Sequence, residues 1–336
     1  MSEGPQGSVS GKGCRVGKVS PEELEVATFP LSSCGFNVAA NGSSLFLEVA
    51  TPDIKADLYI VRIEEFSMTS GESQMLPAVS ARLFLGSDIA HTQLAFADGA
   101  LWLYLEGQPA RVLELSPSTG GVVRVFRPVS PVGGAEPLIT ASHGYVWLAG
   151  GAGSGADFER IDAADGTSQT YDLGGGYSSV YDIFAVGGRV YFLYLAPVTR
   201  AEGSKERQTT AQPVQLGSFV GELSSQGRLV KASREEEVGG MLADVRGQLV
   251  SAGPGSACTG PEMVWRINAK TLATTVFTTL GVPGDSCLNE AGPREVATAG
   301  SALFVLYAGG SGATSLYRVA LASTLRGVLR APAPQD

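Results

Sequence analysis

The chain has 336 residues and a formal net charge of −9; 44 % of its residues are hydrophobic, 17 % are charged, and 44 are glycine. Because Lys and Arg form no clusters, the sequence does not favour a nucleic acid or an anionic membrane surface as a partner. No apolar run reaches the ~20 residues that a membrane span requires, so we expect no membrane insertion. Many glycines with few charges are typical of short strands joined by tight turns.

In chain order, residues 1–13 are polar and rich in Gly and Ser, which predicts a flexible N-terminal segment without the hydrophobic stretch of a secretion signal. Such a start is also what remains after a signal or an anchor has been removed. Residues 14–31 follow as a hairpin of two β-prone runs. We predict that residues 14–331 form one domain and that residues 332–336 form a C-terminal tail.

From here a unit repeats six times: an apolar segment, a turn containing glycine, and a strongly β-prone run. The turn glycines lie 44 to 59 residues apart and are Gly42, Gly99, Gly144, Gly188, Gly247 and Gly300. A second hairpin follows each of these hairpins, which gives four antiparallel strands per repeat, the pattern of a propeller blade. We therefore predict an all-β protein, a β-propeller of six four-stranded blades plus an extra N-terminal hairpin. If that hairpin is a reduced blade, the number of blades is seven.

The second hairpins carry the motif Arg160-Ile161-Asp162-Ala163-Ala164-Asp165-Gly166 and the related run Arg266-Ile267-Asn268-Ala269. This pattern resembles the outer strands of bacterial β-propeller repeat proteins of the quinoprotein, YVTN surface-layer and virginiamycin-B-lyase-like group. The resemblance implies a propeller without identifying a subfamily. The Trp that the quinoprotein pattern places after the glycine is absent, so we expect no quinone and assign no cofactor, with a divalent cation as the one alternative.

The long connections of this predicted propeller all fall on one side, which we call the loop-bearing face. They comprise residues 150–156, 197–216, 253–261 and 281–293. The cysteines fall there too, and the predicted topology favours the disulfides Cys14–Cys34 and Cys258–Cys287. Disulfides indicate an oxidising compartment, so we expect a secreted or surface-tethered protein. Four free thiols would instead place the protein in the cytoplasm.

Aligning the repeats on the turn glycine brings several polar residues to the start of the innermost strands, at the mouth of the central channel. The candidate ligand-binding residues are His91, Gln93, Glu136, Tyr181, Asp182, Arg294 and Glu295. Mixed carboxylates, amide, His and Arg side chains could bind a small polar ligand or a cation. The alternative is that they only hydrogen-bond to ordered channel water. No residue is assigned as catalytic or as a metal ligand.

Two functions remain open. The first is a monomeric, non-enzymatic binding or sensor module outside the cytoplasm, whose loop-bearing face binds a protein or a glycan. It is favoured because the sequence shows no nucleophile motif and no pair of metal-binding cysteines. The second is a metal-assisted lyase or hydrolase that uses His91, Glu136 and Asp182 at the channel mouth.

Overall fold

A computed structural model gives the fold of the chain. It describes residues 15–19, 26–30, 37–84, 92–105, 109–129, 138–150, 157–172, 179–197, 216–233, 240–245, 248–254, 262–279, 292–299, 302–308 and 314–320. The described residues form 26 strands in six sheets. None of the described residues belongs to a helix long and apolar enough to cross a lipid bilayer.

Five blades are each built from consecutive strands. Blade 1 contains β3 (Val38–Ala40), β4 (Ser44–Asp53), β5 (Leu58–Ser67), β6 (Ser73–Met75) and β7 (Ala81–Phe84). Blade 2 contains β8 (Thr92–Ala97), β9 (Ala100–Leu105), β10 (Arg111–Leu115) and β11 (Val122–Phe126). Blade 3 contains β12 (Leu138–Ser142), β13 (Tyr145–Gly150), β14 (Asp157–Asp162) and β15 (Ser168–Asp172). Blade 4 contains β16 (Ser179–Val186), β17 (Arg189–Pro197), β18 (Leu216–Ser224) and β19 (Leu229–Ala232). Blade 5 contains β20 (Met241–Val245), β21 (Gln248–Pro254), β22 (Glu262–Ile267) and β23 (Thr274–Thr279).

Each of these blades is four strands deep. In blade 1 the outermost position is divided, because β6 pairs with one end of β5 at Glu64–Phe66 and β7 pairs with the other end at Leu58–Val61. All pairings within the five blades are antiparallel between strands that are consecutive in the chain, apart from the β5–β7 pair. The innermost strands β3, β8, β12, β16 and β20 each pair on one side only, so their other edge faces the centre.

The closing sheet combines both ends of the described chain. Its strands, in spatial order, are β24 (Gly292–Ala299), β25 (Ala302–Ala308), β26 (Thr314–Ala320), β1 (Arg15–Val19) and β2 (Val26–Pro30). The strands β1 and β26 run parallel, with Arg15 opposite Ser315. Strand β24 lies beside β20 on one side and β3 on the other, which completes the ring of innermost strands.

The propeller prediction is confirmed, but the predicted six four-stranded blades plus an extra hairpin are wrong, as is the seven-blade alternative. The finding that overturns both is the pairing of β1 with β26. Five blades consist of consecutive strands, and the N-terminal hairpin is the outer part of the five-stranded closing sheet. In blades 1 to 5 each repeat contains two hairpins as predicted. The last repeat differs, because among the described residues the outer neighbour of its third strand, β26, is the N-terminal strand β1.

The tight inner turns follow from local backbone chemistry. Asp98-Gly99, His143-Gly144 and Gly187-Gly188 all have positive φ at both positions, as two-residue turns of type I′ require. The turn at Asn41 differs, because its side-chain oxygen accepts hydrogen bonds from the backbone N–H groups of Ser43 (3.1 Å) and Ser44 (2.8 Å). These turns fix which residues of β3, β8, β12 and β16 face the centre.

Neighbouring blades pack through apolar side chains that alternate along the strands. Phe46 of blade 1 stacks on Phe96 of blade 2 with ring centroids 5.7 Å apart, and Phe158 of blade 3 meets Phe192 of blade 4 edge-on at 5.1 Å. Burial of such rings contributes most of the stability of a blade interface. The core is therefore a series of interfaces arranged around the central channel.

The strand bounds also separate the two faces of the propeller. On one face, which joins first to second and third to fourth strands, connections contain two to six residues. At the opposite ends of the strands, four to 18 residues separate one described strand from the next, and the longest interval, residues 198–215, lies between β17 and β18. The predicted loop-bearing face is the second of these.

Candidate functional site

The central channel contains a cavity of about 150 Å³. Five innermost strands line it, contributing Val38–Ala40, Gln93–Phe96, Leu138–Ala141, Asp182–Ala185 and Leu242. Because each of these strands leaves one edge unpaired, the wall presents backbone N–H and C=O groups as well as side chains. Such groups need hydrogen-bond partners, so the cavity suits water or a polar ligand better than a purely apolar one.

Asp182 is the one ionisable residue of the described cavity wall, and it is 8 % exposed. A β-bulge in β16 between Val180 and Asp182 interrupts the strand alternation just before it. Its Oδ2 accepts a hydrogen bond from the backbone N–H of Leu242 in the next blade. Burial raises the pKa of Asp182 to about 8, although the N–H groups of Leu242 and Ile183 partly stabilise the charged form. Asp182 therefore links blades 4 and 5 and is largely protonated at neutral pH.

Thr140 makes the corresponding link between blades 3 and 4. Its hydroxyl oxygen accepts a hydrogen bond from the backbone N–H of Ala185 at 2.9 Å. Gln93 lies on β8, also in the cavity wall. The wall thus has a carboxyl group, a hydroxyl group and an amide on three different blades.

A second buried carboxyl group lies beside the channel, in the interface of blades 1 and 2. The side-chain amide of Asn37 donates to Oε2 of Glu48 at 2.6 Å and to the carbonyl oxygen of Thr92 at 2.9 Å. Glu48 is fully buried, and its Oε1 has no hydrogen-bond partner among the described residues. Burial raises the pKa of Glu48 to about 7, and hydrogen bonds from Thr92 and Asn37 oppose this effect.

The predicted channel-mouth residues have different positions. Gln93 and Asp182 lie in the cavity wall. Tyr181 instead packs in the apolar interface of blades 4 and 5, where burial raises its pKa above the ordinary value for tyrosine. Arg294 and Glu295 lie on β24, but their side chains are outside the described part of the structure. His91 and Glu136 are outside the described residues altogether, as are Cys14, Cys34, Cys258 and Cys287.

Sequence reasoning missed Asn37, Glu48, Thr92 and Thr140. A signal existed for Glu48, because it interrupts the apolar run Leu45–Val49 in a strand that is otherwise buried. A carboxyl group at such a position must find partners or stay protonated. The roles of Asn37 and Thr140 depend on contacts between blades and left no comparable signal.

Within the described residues, no three His, Cys, Asp or Glu side chains come together as a metal site would require. Two of the three residues predicted for a metal-assisted reaction, His91 and Glu136, lie outside that part of the chain. The described candidate site is therefore the cavity with Gln93, Thr140 and Asp182. The Asn37–Glu48–Thr92 cluster lies beside it, in the interface of blades 1 and 2, and does not line the cavity.

No protein-family model matches this chain, and no curated protein matches it. Among solved structures, a chain of Kuenenia stuttgartiensis hydrazine synthase superposes with a TM-score of 0.53 and 11 % identity, covering 90 % of this chain and 89 % of that chain. A prolyl endopeptidase superposes with a TM-score of 0.47 and 14 % identity, covering 76 % of this chain but 36 % of that chain. Both proteins contain a propeller. At 11 % identity, the likeness to the hydrazine synthase chain shows the fold alone.

Proposed function

We propose that this protein is a non-enzymatic binding or sensor module that acts outside the cytoplasm and recognises a protein or a glycan with its loop-bearing face. The observation that carries the proposal is the difference in length between the connections on the two faces. One face has turns of six residues or fewer, whereas the other includes connections of 11, 12 and 18 residues at 127–137, 280–291 and 198–215. Variable connections on a rigid scaffold are where binding residues are usually found.

The links at the channel support this proposal. A side-chain oxygen of Asp182 and that of Thr140 each accept a hydrogen bond from a backbone N–H group of the next blade. These bonds hold the innermost strands together and so give the loop-bearing face a fixed base. The motif at Arg160–Gly166 supports a place among bacterial β-propeller repeat proteins, and the four cysteines support an oxidising compartment.

The test measures binding to an array of bacterial surface glycans and to purified peptidoglycan. It compares a variant altered on the loop-bearing face with one altered on the opposite face. One variant replaces residues 198–215 by a short Gly-Ser linker. The matched control is Gln226→Ala, an exposed turn residue on the opposite face. We expect the loop variant to lose binding at least tenfold and the control to bind like the wild type. Equal binding by all three proteins, or no binding by the wild type, would contradict the proposal.

A metal-assisted lyase or hydrolase is the second candidate, and one observation favours it. With its pKa raised to about 8, Asp182 is protonated at neutral pH, as a general acid must be. Metal analysis of the purified protein separates the two candidates. A stoichiometric divalent metal that is lost in His91→Ala would support the enzyme, and a metal-free wild type would oppose it.

The proposed compartment has a separate test. If Cys14–Cys34 and Cys258–Cys287 are disulfides, the unreduced, denatured protein has no reactive thiol and gains four after reduction. Four reactive thiols before reduction would place the protein in the cytoplasm.

A further inference from the structure

We propose that the cavity of the central channel binds a small organic amine as its ammonium cation, with Asp182 as the counter-ion. This site is distinct from the loop-bearing face and does not rest on the function proposed above. The proposal follows from the size of the cavity, the sign of its charge and the hydrogen-bonding groups of its wall.

The size limits the ligand. A cavity of about 150 Å³ has the volume of the engineered protein cavity that takes up benzene, which corresponds to roughly six non-hydrogen atoms. The present wall differs from that apolar case because strand edges and Asp182 contribute to it. A compact molecule with one polar end and a short hydrocarbon part fits such a wall.

The charge favours a cation. Asp182 is the one ionisable side chain among the described wall residues and becomes negative when it loses its proton, and the chain as a whole carries a formal charge of −9. A net negative charge favours an approaching cation over an approaching anion. A divalent metal ion usually takes several oxygen ligands with more than one carboxylate, whereas an organic ammonium ion needs one counter-ion. Apolar residues such as Leu94 and Ile139 suit the hydrocarbon part of an amine.

The hydrogen-bonding groups match an ammonium head. A carboxylate can accept about four hydrogen bonds, and Asp182 receives two, from the N–H groups of Leu242 and Ile183. An ammonium group has three donors and no acceptor. It can donate to Asp182 and to carbonyl oxygens on the strand edges that line the cavity.

Binding should be linked to proton release. The elements packed against β16 carry the titratable side chains Tyr145, Arg189, Tyr191, Tyr194 and Asp244, and Tyr181 precedes Asp182 in the chain. Burial is nevertheless the main cause of the raised pKa of Asp182. Because Asp182 is largely protonated at pH 7, binding of an ammonium ion must displace that proton. We expect affinity to rise as pH passes about 8 and to fall near pH ~10, where an alkyl amine loses its own charge.

The experiment measures binding of isobutylammonium by calorimetry at pH 8.5, with the neutral isobutanol as the matched ligand. Asp182→Asn keeps an oxygen that can accept the hydrogen bond from the backbone N–H of Leu242, but it removes the negative charge of the ionised carboxylate. Glu48→Gln is the control variant, since it removes a buried carboxyl group that does not line the cavity. Thermal unfolding of each variant tests whether it is folded.

We expect the wild type to bind isobutylammonium at least tenfold more tightly than isobutanol. Asp182→Asn should lose at least tenfold in amine affinity, while Glu48→Gln stays within twofold of the wild type. Equal affinity for amine and alcohol, unchanged affinity in Asp182→Asn, or no amine binding by the wild type would each overturn the proposal. In the last case the cavity holds only water.

Discussion

Glu48 and Asp182 are both buried carboxyl groups near the channel, yet they are held in different ways. Glu48 lies inside a blade interface and receives a hydrogen bond from the side chain of Asn37. Asp182 lines the cavity and receives a backbone N–H from the next blade. The hydrogen bonding of Glu48 therefore depends on a side chain that a substitution can remove. Asp182, in contrast, borders a space that water can fill. This difference teaches that two carboxyl groups whose pKa values are both raised by burial can have different structural roles.

The largest expected effect is the pH dependence of stability. The pKa of Asp182 rises from 3.8 to about 8 on folding, and that of Glu48 rises from 4.5 to about 7. A raised carboxyl pKa means that the folded state binds the proton more tightly. The resulting stability is present below the unfolded pKa and is lost as pH rises through the folded pKa.

Between pH 5 and pH 8 we therefore expect the free energy of unfolding to fall, with about 3 kcal/mol from Asp182 and about 2 kcal/mol from Glu48. Urea unfolding across this range measures the loss. Asp182→Asn and Glu48→Gln should each remove the part of this pH dependence that comes from the replaced carboxyl group. A wild type whose stability is constant over this range would contradict the raised pKa values of both groups.

Asn37→Ala should cost about 2 kcal/mol at pH 5, because it removes the donor to Glu48 and to the carbonyl oxygen of Thr92 in a buried interface. Chemical unfolding gives the value. Asn41→Ala in the exposed hairpin turn is the control and should cost no more than about 1 kcal/mol. If the control costs more than Asn37→Ala, the cluster does not stabilise the blade interface.

Asp182→Ala should cost only about 1 kcal/mol at pH 5, because a water molecule in the cavity can accept the N–H of Leu242 in place of the carboxyl group. The same unfolding measurement tests this. A cost above that of Asn37→Ala would reverse the proposed contrast between the two carboxyl groups and show that water does not substitute.

Gln93→Ala should give the smallest change, within about 0.5 kcal/mol, because this half-buried amide faces a cavity that water can enter. Thermal unfolding is sensitive enough to set that limit. A larger loss would mean that Gln93 makes a structural contact comparable to those of Asn37.

Local patterns predicted much of this fold. Glycines with positive φ at 42, 99, 144 and 188 occur where the repeat places hairpin turns, since turn chemistry is decided by adjacent residues. The pairing of β1 with β26 was not predicted in its correct form, because it joins residues at opposite ends of the chain and parallel pairing leaves no turn signal. The strand alternation likewise gave no indication of the bulge that sets Tyr181 and Asp182 apart.

One turn shows why residue type alone was insufficient. Gly227 has a positive φ, and a Cβ there would lie 2.3 Å from the ring of Tyr171, so only glycine fits. In the equivalent turn of blade 5, Leu272 has a φ of 59° and is fully buried. Sequence rules assign glycine to such positions, and packing against blade 4 is what retains a leucine in this one.

The closing sheet has a consequence for how the protein is made. During translation β1 and β2 leave the ribosome before β26, the partner of β1, which follows only after residues 31–313. At about 5–20 residues per second, that interval lasts on the order of 15 to 60 seconds. Throughout it, the nascent hairpin presents an unpaired strand edge that other chains can join. The arrival of β26 thus ends a period of vulnerability to aggregation that began when β1 and β2 left the ribosome.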